Sequence, residues 1–215
     1  VRYAQGDEFR EVIDFKYDYE RHEGAGGINP PLVYPIGWND KGIVAYKADY
    51  CNYGCGCCGT EIIIRDIKSN TTIEEKGTWG EDLSYENKSV WDDESYREST
   101  RQLLASHKIM PTGIGPYVDS STYHGEKGSI GVSIEKFKKD KFRVYKTENG
   151  QPTDQLIYTG ELTVNDLAEI WTEVECIGYF LPEMNNYVVF VLLLRDSGYE
   201  DSRDYTIELV GVELS

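Results

Sequence analysis

The chain has 215 residues, of which 40% are hydrophobic, a size sufficient for one substantial core or two small ones. Its 38 acidic residues outnumber its 22 basic residues, and the formal net charge of −16 argues against a nucleic-acid partner, which requires clustered Lys and Arg. The longest apolar run, residues 187–194, is too short to cross a membrane. The basic cluster within residues 136–143 alternates with acidic and aromatic residues, which is typical of the charged rim of a hairpin.

Short apolar segments separated by turn residues follow the polar stretch 1–31 and predict β-strands. The predicted strands are 32–36, 43–46, 61–67, 72–75, 129–137, 142–146, 156–162, 176–181, 187–194 and 205–214. Residues 47–59 and 195–204 are predicted to be long loops, and Asn149-Gly150 predicts a tight turn.

One segment in the middle of the chain has the periodicity of a helix rather than of a strand. Tyr96, Thr100, Leu103 and His107 recur at spacings that place them on one helical face, and Pro111 follows as a stop signal. We therefore predict a helix near 95–108, and residues 163–171 fit a second, shorter one.

These elements together predict a mainly β fold of the α+β class, built from antiparallel hairpins and a meander. The expected domain is single and covers residues 1–215. Its subdivision would be a β module with the cysteine-rich loop at 1–90, a helix and meander at 91–165, and a second β module at 166–215.

A strand–turn–strand–loop–strand order occurs twice, over about 32–75 and 176–214. The first copy contains GWNDKGIVAY (37–46) and IIIRD (62–66), and the second contains FLPEMNNYVVF (180–190). These segments resemble blades of β-propellers of the TolB or WD40 type. The resemblance implies blade-like hairpins, but a full propeller is not expected because the middle of the chain lacks the blade pattern.

Four of the five cysteines lie within eight residues, at Cys51, Cys55, Cys57 and Cys58, with glycines between and beside them. Such a cluster forms either disulfides or a thiolate site for a soft metal, and its spacing matches neither zinc nor iron–sulfur patterns. Because adjacent cysteines rarely bond to each other, we expect Cys51 and Cys55 to pair with Cys57 and Cys58, in an order that the spacing leaves open. Cys176 is then a buried free thiol. A Cu or Zn site with all four clustered cysteines as ligands is the alternative, and reduced, inert thiols are a third.

Other candidate site residues lie in loops and carry weaker signals. Tyr53 lies within the cysteine run, and Tyr123 and His124 lie in a glycine-rich segment where a binding site is expected. His107 is expected to be structural, and the acidic run 196–204 is expected to be a solvated hairpin tip. No signature of a catalytic nucleophile, phosphate loop or dinucleotide site is present.

The sequence thus predicts a non-enzymatic, secreted or envelope-associated bacterial binding protein without a cofactor, whose ligand is a protein, peptide or glycan. The first residue is Val1 rather than Met, which fits a removed signal or lipid-anchor segment, or a chain trimmed by design. The absence of an initial Met and the cysteine cluster together predict an extracytoplasmic location such as the periplasm. Two alternative functions are a soft-metal binding protein that uses the cysteine cluster and a hydrolase with a site near His124.

Overall fold

In the computed structural model of the chain, the described residues form two compact units. One unit comprises the described residues of 1–66 and 71–114, and the other comprises those of 67–70 and 115–215. The structure describes residues 32–52, 57–80, 94–111, 118, 120–126, 128–162, 173–181, 186–197 and 203–214.

The first unit is a five-stranded antiparallel sheet with one helix. The elements are β1 (Leu32–Trp38), β2 (Ile43–Asn52), β3 (Cys57–Asp66), β4 (Thr71–Gly80), α1 (Glu94–Ser106) and β5 (Met110–Pro111). Strands β1 to β4 pair in chain order as a meander, and β5 pairs with the free edge of β1, so the order across the sheet is β4-β3-β2-β1-β5.

Apolar residues of β2 and β3 form a core with the apolar face of α1. Ala45 and Ile64 are register partners, and both are buried in one cluster with Leu103 and Leu104 of the helix. The helix ends where Lys108 adopts a positive φ of 55°, the left-handed conformation common after a last helical turn. The helix predicted near 95–108 is confirmed.

The second unit contains two antiparallel sheets, one with four strands in the order β6-β7-β8-β9 and one with three in the order β10-β11-β12. The elements are β6 (Thr122–Gly125), β7 (Gly128–Lys138), β8 (Lys141–Glu148), β9 (Gln151–Glu161), β10 (Glu173–Phe180), β11 (Tyr187–Ser197) and β12 (Arg203–Glu213).

The two sheets of this unit pack their apolar faces against each other. Phe142 and Val144 of β8 are fully buried in a cluster with Leu192 of β11 and Val210 of β12. Every residue of β11 from Val188 to Leu194 is buried, as expected for a central strand that is covered on both faces.

Within the described residues, none of the three sheets closes into a barrel, and α1 is the one helix. The prediction of a mainly β fold without a full propeller is therefore confirmed. Residues 163–171, where a second helix was a prediction, lie outside the described residues. The single domain and its subdivision stay predictions.

Both long loops predicted from polar composition are shorter than expected. The strand β2 continues to Asn52 and β3 begins at Cys57, so most of 47–59 is sheet. Likewise β11 continues to Ser197 and β12 begins at Arg203. The prediction was wrong because backbone pairing with a neighbouring strand extends a sheet through polar positions that lack an apolar pattern.

The two modules predicted from the repeated strand order share an irregularity in their first strand. A register shift lies between Pro35 and Gly37 in the β1–β2 pair, and another lies between Cys176 and Gly178 in the β10–β11 pair. The bulged residue in each case is an isoleucine, Ile36 or Ile177. A bulge inserts one unpaired residue and bends the strand, so both modules bend at the same point.

The turn between β3 and β4 is held within the second unit by the buried side chain of Asn70. Its Oδ1 accepts a hydrogen bond from the N–H of Gly211 at 2.7 Å, and its Nδ2 donates to the carbonyls of Gly211 and Ile157, each at 3.3 Å. A Cβ atom at Gly211 would collide with the carbonyl oxygen of Ile67. The close approach of the turn to β12 therefore depends on glycine.

We predict that Asn70→Ala lowers the free energy of unfolding by about 2–3 kcal/mol, because buried backbone groups lose their partners and alanine disfavours the left-handed φ of 55°. Asn149→Ala is the matched control, since Asn149 has a φ of 50° but lies in an exposed turn. The control should lose only about 1 kcal/mol. Urea denaturation of both variants measures the difference, and equal losses would contradict the role of burial at Asn70.

Candidate functional site

The cysteine run lies at the end of the β2–β3 hairpin. Cys51 of β2 is the register partner of Cys58 of β3, and Asn52 is the partner of Cys57. Cys58 is also paired on its other side with Gly80 of β4. Cys55 and Tyr53 lie within residues 53–56, outside the described residues.

Strand geometry determines which of these cysteines share a face of the sheet. Cys57 and Cys58 occupy successive positions of β3, and successive strand positions belong to opposite faces. Cys51 and Cys58 are opposite one another and therefore belong to the same face. Directly opposed residues of antiparallel strands have Cα atoms about 4.5–5.5 Å apart, which falls within the range of about 4.4–6.8 Å found for disulfides.

Tyr123 belongs to an aromatic cluster in the second unit. Its ring meets that of Tyr179 edge to face, with centroids 5.7 Å apart, and Tyr179 meets Phe190 in the same way at 5.9 Å. A Cβ at Gly125 would lie 2.8 Å from the Tyr123 ring, so the ring covers this glycine. The structure thus places Tyr123 half-buried against the core rather than fully on an open surface.

The expected loop around Tyr123 and His124 is instead the strand β6, because this segment pairs with β7. His124 follows Tyr123 and lies on the opposite face of the strand, where it is exposed. It forms no hydrogen bond or ion pair with any side chain that the structure describes. Asp196 and Asp204, at the two ends of the acidic run, are register partners in the three-stranded sheet. The histidine and these two positions therefore belong to different sheets of the unit.

His107 is part of the framework of the first unit. Its Nε2 lies 2.8 Å from Oε2 of Glu74, and its backbone carbonyl accepts a hydrogen bond from Nδ2 of Asn39 at 2.8 Å. Asn39 also caps the β1–β2 turn through its Oδ1, which accepts from the N–H of Ile43 at 3.1 Å. These contacts tie the end of α1 to β4 and to the turn, which agrees with the structural role expected for this histidine.

Cys176 is a free, half-buried thiol on β10, beside the bulge. Burial raises its pKa to about 12, and a backbone hydrogen bond at Gly178 opposes that shift only in part. The neutral thiol is placed to donate a weak hydrogen bond to the carbonyl of Gly178, at 3.7 Å. The free thiol is as predicted from the sequence. A thiol with so high a pKa is a poor nucleophile and a poor metal ligand at neutral pH.

Among the described side chains, no group of three or more His, Cys, Asp or Glu residues could hold a metal ion. None of the helical residues described forms a segment long and apolar enough to cross a membrane. Comparison of the chain with protein-family models, with curated proteins and with solved structures gives no match. The resemblance to propeller blades therefore stays a prediction.

We predict that Cys176 in the folded protein reacts with iodoacetamide at pH 8 at least about a hundredfold more slowly than in urea, where its pKa is about 8.5. Because the pKa of Cys176 is raised on folding, the folded state favours the neutral thiol, and the neutral thiol adds to the free energy of unfolding. That contribution is complete below about pH 8.5 and is lost as the pH rises toward about 12. Mass spectrometry of the peptide containing Cys176 measures the rates, and equal rates in the two states would contradict the burial.

Proposed function

We propose that the chain is a non-enzymatic binding protein of an extracytoplasmic space, whose β2–β3 hairpin is closed by a disulfide between Cys51 and Cys58. The observation that carries the proposal is the register of the hairpin, in which these two cysteines are direct partners. Two opposed cysteines on paired strands need no backbone movement to form a disulfide. Stable disulfides in turn indicate an oxidising compartment.

The register also favours a disulfide over the metal alternative. A tetrahedral site for Zn or Cu needs four sulfur atoms that converge on one point. Cys57 and Cys58 belong to opposite faces of β3, and Cys58 is held by pairing with strands on both sides. A site with all four cysteines as ligands would have to break the pairing at this end of the sheet.

The proposed disulfide has a local role, because it closes a loop of few residues and removes little entropy from the unfolded chain. Its effect is to join the ends of β2 and β3, which flank the segment that contains Tyr53. Tyrosine has a large amphipathic side chain with few rotatable bonds and suits contact with a protein, peptide or glycan. This hairpin end is the proposed contact surface of the first unit.

The position of the histidines supports a function without catalysis. The hydrolase alternative would place His124 beside a nucleophile or a carboxylate that faces a substrate. His124 is exposed on β6 and has no partner among the described side chains, and His107 pairs with Glu74 at the end of α1. The hydrolase alternative therefore has less support than the binding protein.

The test is a count of free thiols in denatured, unreduced protein by alkylation and intact mass, beside metal analysis of the native sample. If Cys51 pairs with Cys58, each of Cys51→Ser and Cys58→Ser exposes one additional thiol. The double variant Cys51→Ser/Cys58→Ser exposes none, because both partners have been removed. The same count on Cys55→Ser and Cys57→Ser reports whether a second disulfide exists.

Other outcomes decide between the alternatives. Two additional thiols in the double variant would show that Cys51 and Cys58 pair with Cys55 and Cys57 instead. Alkylation of all five cysteines together with about one bound metal per chain would replace the disulfide with the metal site. Five free thiols without metal would remove the support for an oxidising compartment.

A further inference from the structure

The four-stranded sheet of the second unit has one face in the core and one face open to solvent. On β8, Phe142 and Val144 are fully buried, whereas the alternating residues Arg143 and Tyr145 are only half-buried. The register partner of Tyr145 on β9, Leu156, is 50% exposed. Tyr145 and Leu156 therefore lie on the face of the sheet that is open to solvent.

The open face carries rings and cations that are held in place by one another. The guanidinium of Arg143 lies over the ring of Phe137, 4.0 Å from its centroid. The hydroxyl of Tyr145 donates a hydrogen bond to Oε2 of Glu135 at 3.1 Å. Side chains fixed in this way lose little freedom when a ligand binds.

The end of this face holds the basic cluster, at the β7–β8 turn as predicted. Lys136, Lys138 and Lys139 are exposed, and Lys141 forms an ion pair with Glu161 that raises the pKa of the lysine. Between residues 136 and 143 there are five basic residues and one acidic residue, in a chain with 22 basic and 38 acidic residues. With Glu135 and Glu161, which contact Tyr145 and Lys141, the hairpin has five basic and three acidic residues and is a net positive patch on a strongly acidic protein.

Charge complementarity defines the partner of this patch as an anion. Interactions between exposed charges are screened over about 8 Å at physiological salt, so the local patch rather than the net charge governs a ligand that lies on it. A duplex nucleic acid, with one charge per about 1.7 Å of axis, would extend beyond the patch over acidic surface. A polymer with sparser charges, whose sugar rings have apolar C–H faces, matches the combination of cations with Phe137 and Tyr145 more closely.

We propose that the open face at the β7–β8 hairpin, formed by Phe137, Lys138, Lys139, Lys141, Arg143 and Tyr145, binds an acidic polysaccharide. Lysine and arginine bind its carboxylates, and the aromatic rings contact the apolar faces of its sugars. The inference rests on the proposed function as a binding protein, for which it names the ligand class. Its site is in the other unit and does not include the cysteines.

The experiment measures binding of polygalacturonate oligomers to the full chain by calorimetry, with neutral dextran and polyglutamate as comparison ligands. We expect binding of polygalacturonate that weakens as NaCl rises from about 50 to 200 mM. Lys138→Ser/Lys139→Ser and Arg143→Gln should each weaken it at least about tenfold, the equivalent of one charge-assisted hydrogen bond. Arg101→Gln, which removes an exposed charge from α1, is the matched control and should leave the affinity unchanged.

Tyr145→Ser, compared with Tyr145→Phe, tests the contribution of the ring, and circular dichroism of each variant checks that it folds. The proposal is overturned if polygalacturonate does not bind, if polyglutamate binds equally well, or if Arg101→Gln weakens binding as much as Arg143→Gln. The two proposals fail independently. Free cysteines together with polygalacturonate binding that depends on the β7–β8 hairpin would contradict only the disulfide. A mapped disulfide without polygalacturonate binding would contradict only the ligand class.

Discussion

The register of the antiparallel strand pairs is the constraint on which the other features of this protein depend. In the first unit, the β2–β3 register that places Ala45 opposite Ile64 in the core also places Cys51 opposite Cys58 at the end of the hairpin. Because side chains alternate strictly along a strand, a slip of one residue would expose the isoleucines and separate the cysteines. The burial of the core therefore fixes the geometry of the proposed disulfide.

The same rule operates in the second unit, where the buried pair Phe142 and Val144 determines the opposite face of the sheet. Burial of these residues against Leu192 and Val210 leaves Arg143 and Tyr145 on the open side. The proposed ligand surface is thus a consequence of core packing. The buried apolar run of β11, Val188–Leu194, packs against the other face of this sheet through Leu192 and Leu194.

The two modules share a strand arrangement. The first strand of each bulges at an isoleucine, and the aromatic residue after the following glycine pairs with a short segment on its outer side: Trp38 with Met110, and Tyr179 with Val118. Beyond this point the sequences diverge. The second strand of the first module continues through polar residues to the cysteines, whereas that of the second module remains apolar through Leu194. The proposed disulfide lies in the part of the first module that diverges, whereas the proposed polysaccharide surface on β7 and β8 lies outside both modules.

The sequence by itself determined the kinds of elements and most of their positions. Strands such as 61–67 and the helix near 95–108 were predictable because apolar residues recur with the period of the element that buries them. The polar ends of β2 and β11 were not, because a strand without an apolar pattern is held only by its neighbour. Only the tertiary structure decided that the adjacent residues Tyr123 and His124 lie on opposite faces, one half-buried against the core and one exposed. It also made Cys58 the register partner of Cys51, which the spacing along the chain could not show. The reason is physical: spacing along the chain encodes local periodicity, whereas the residue opposite a given position depends on how separate strands pair.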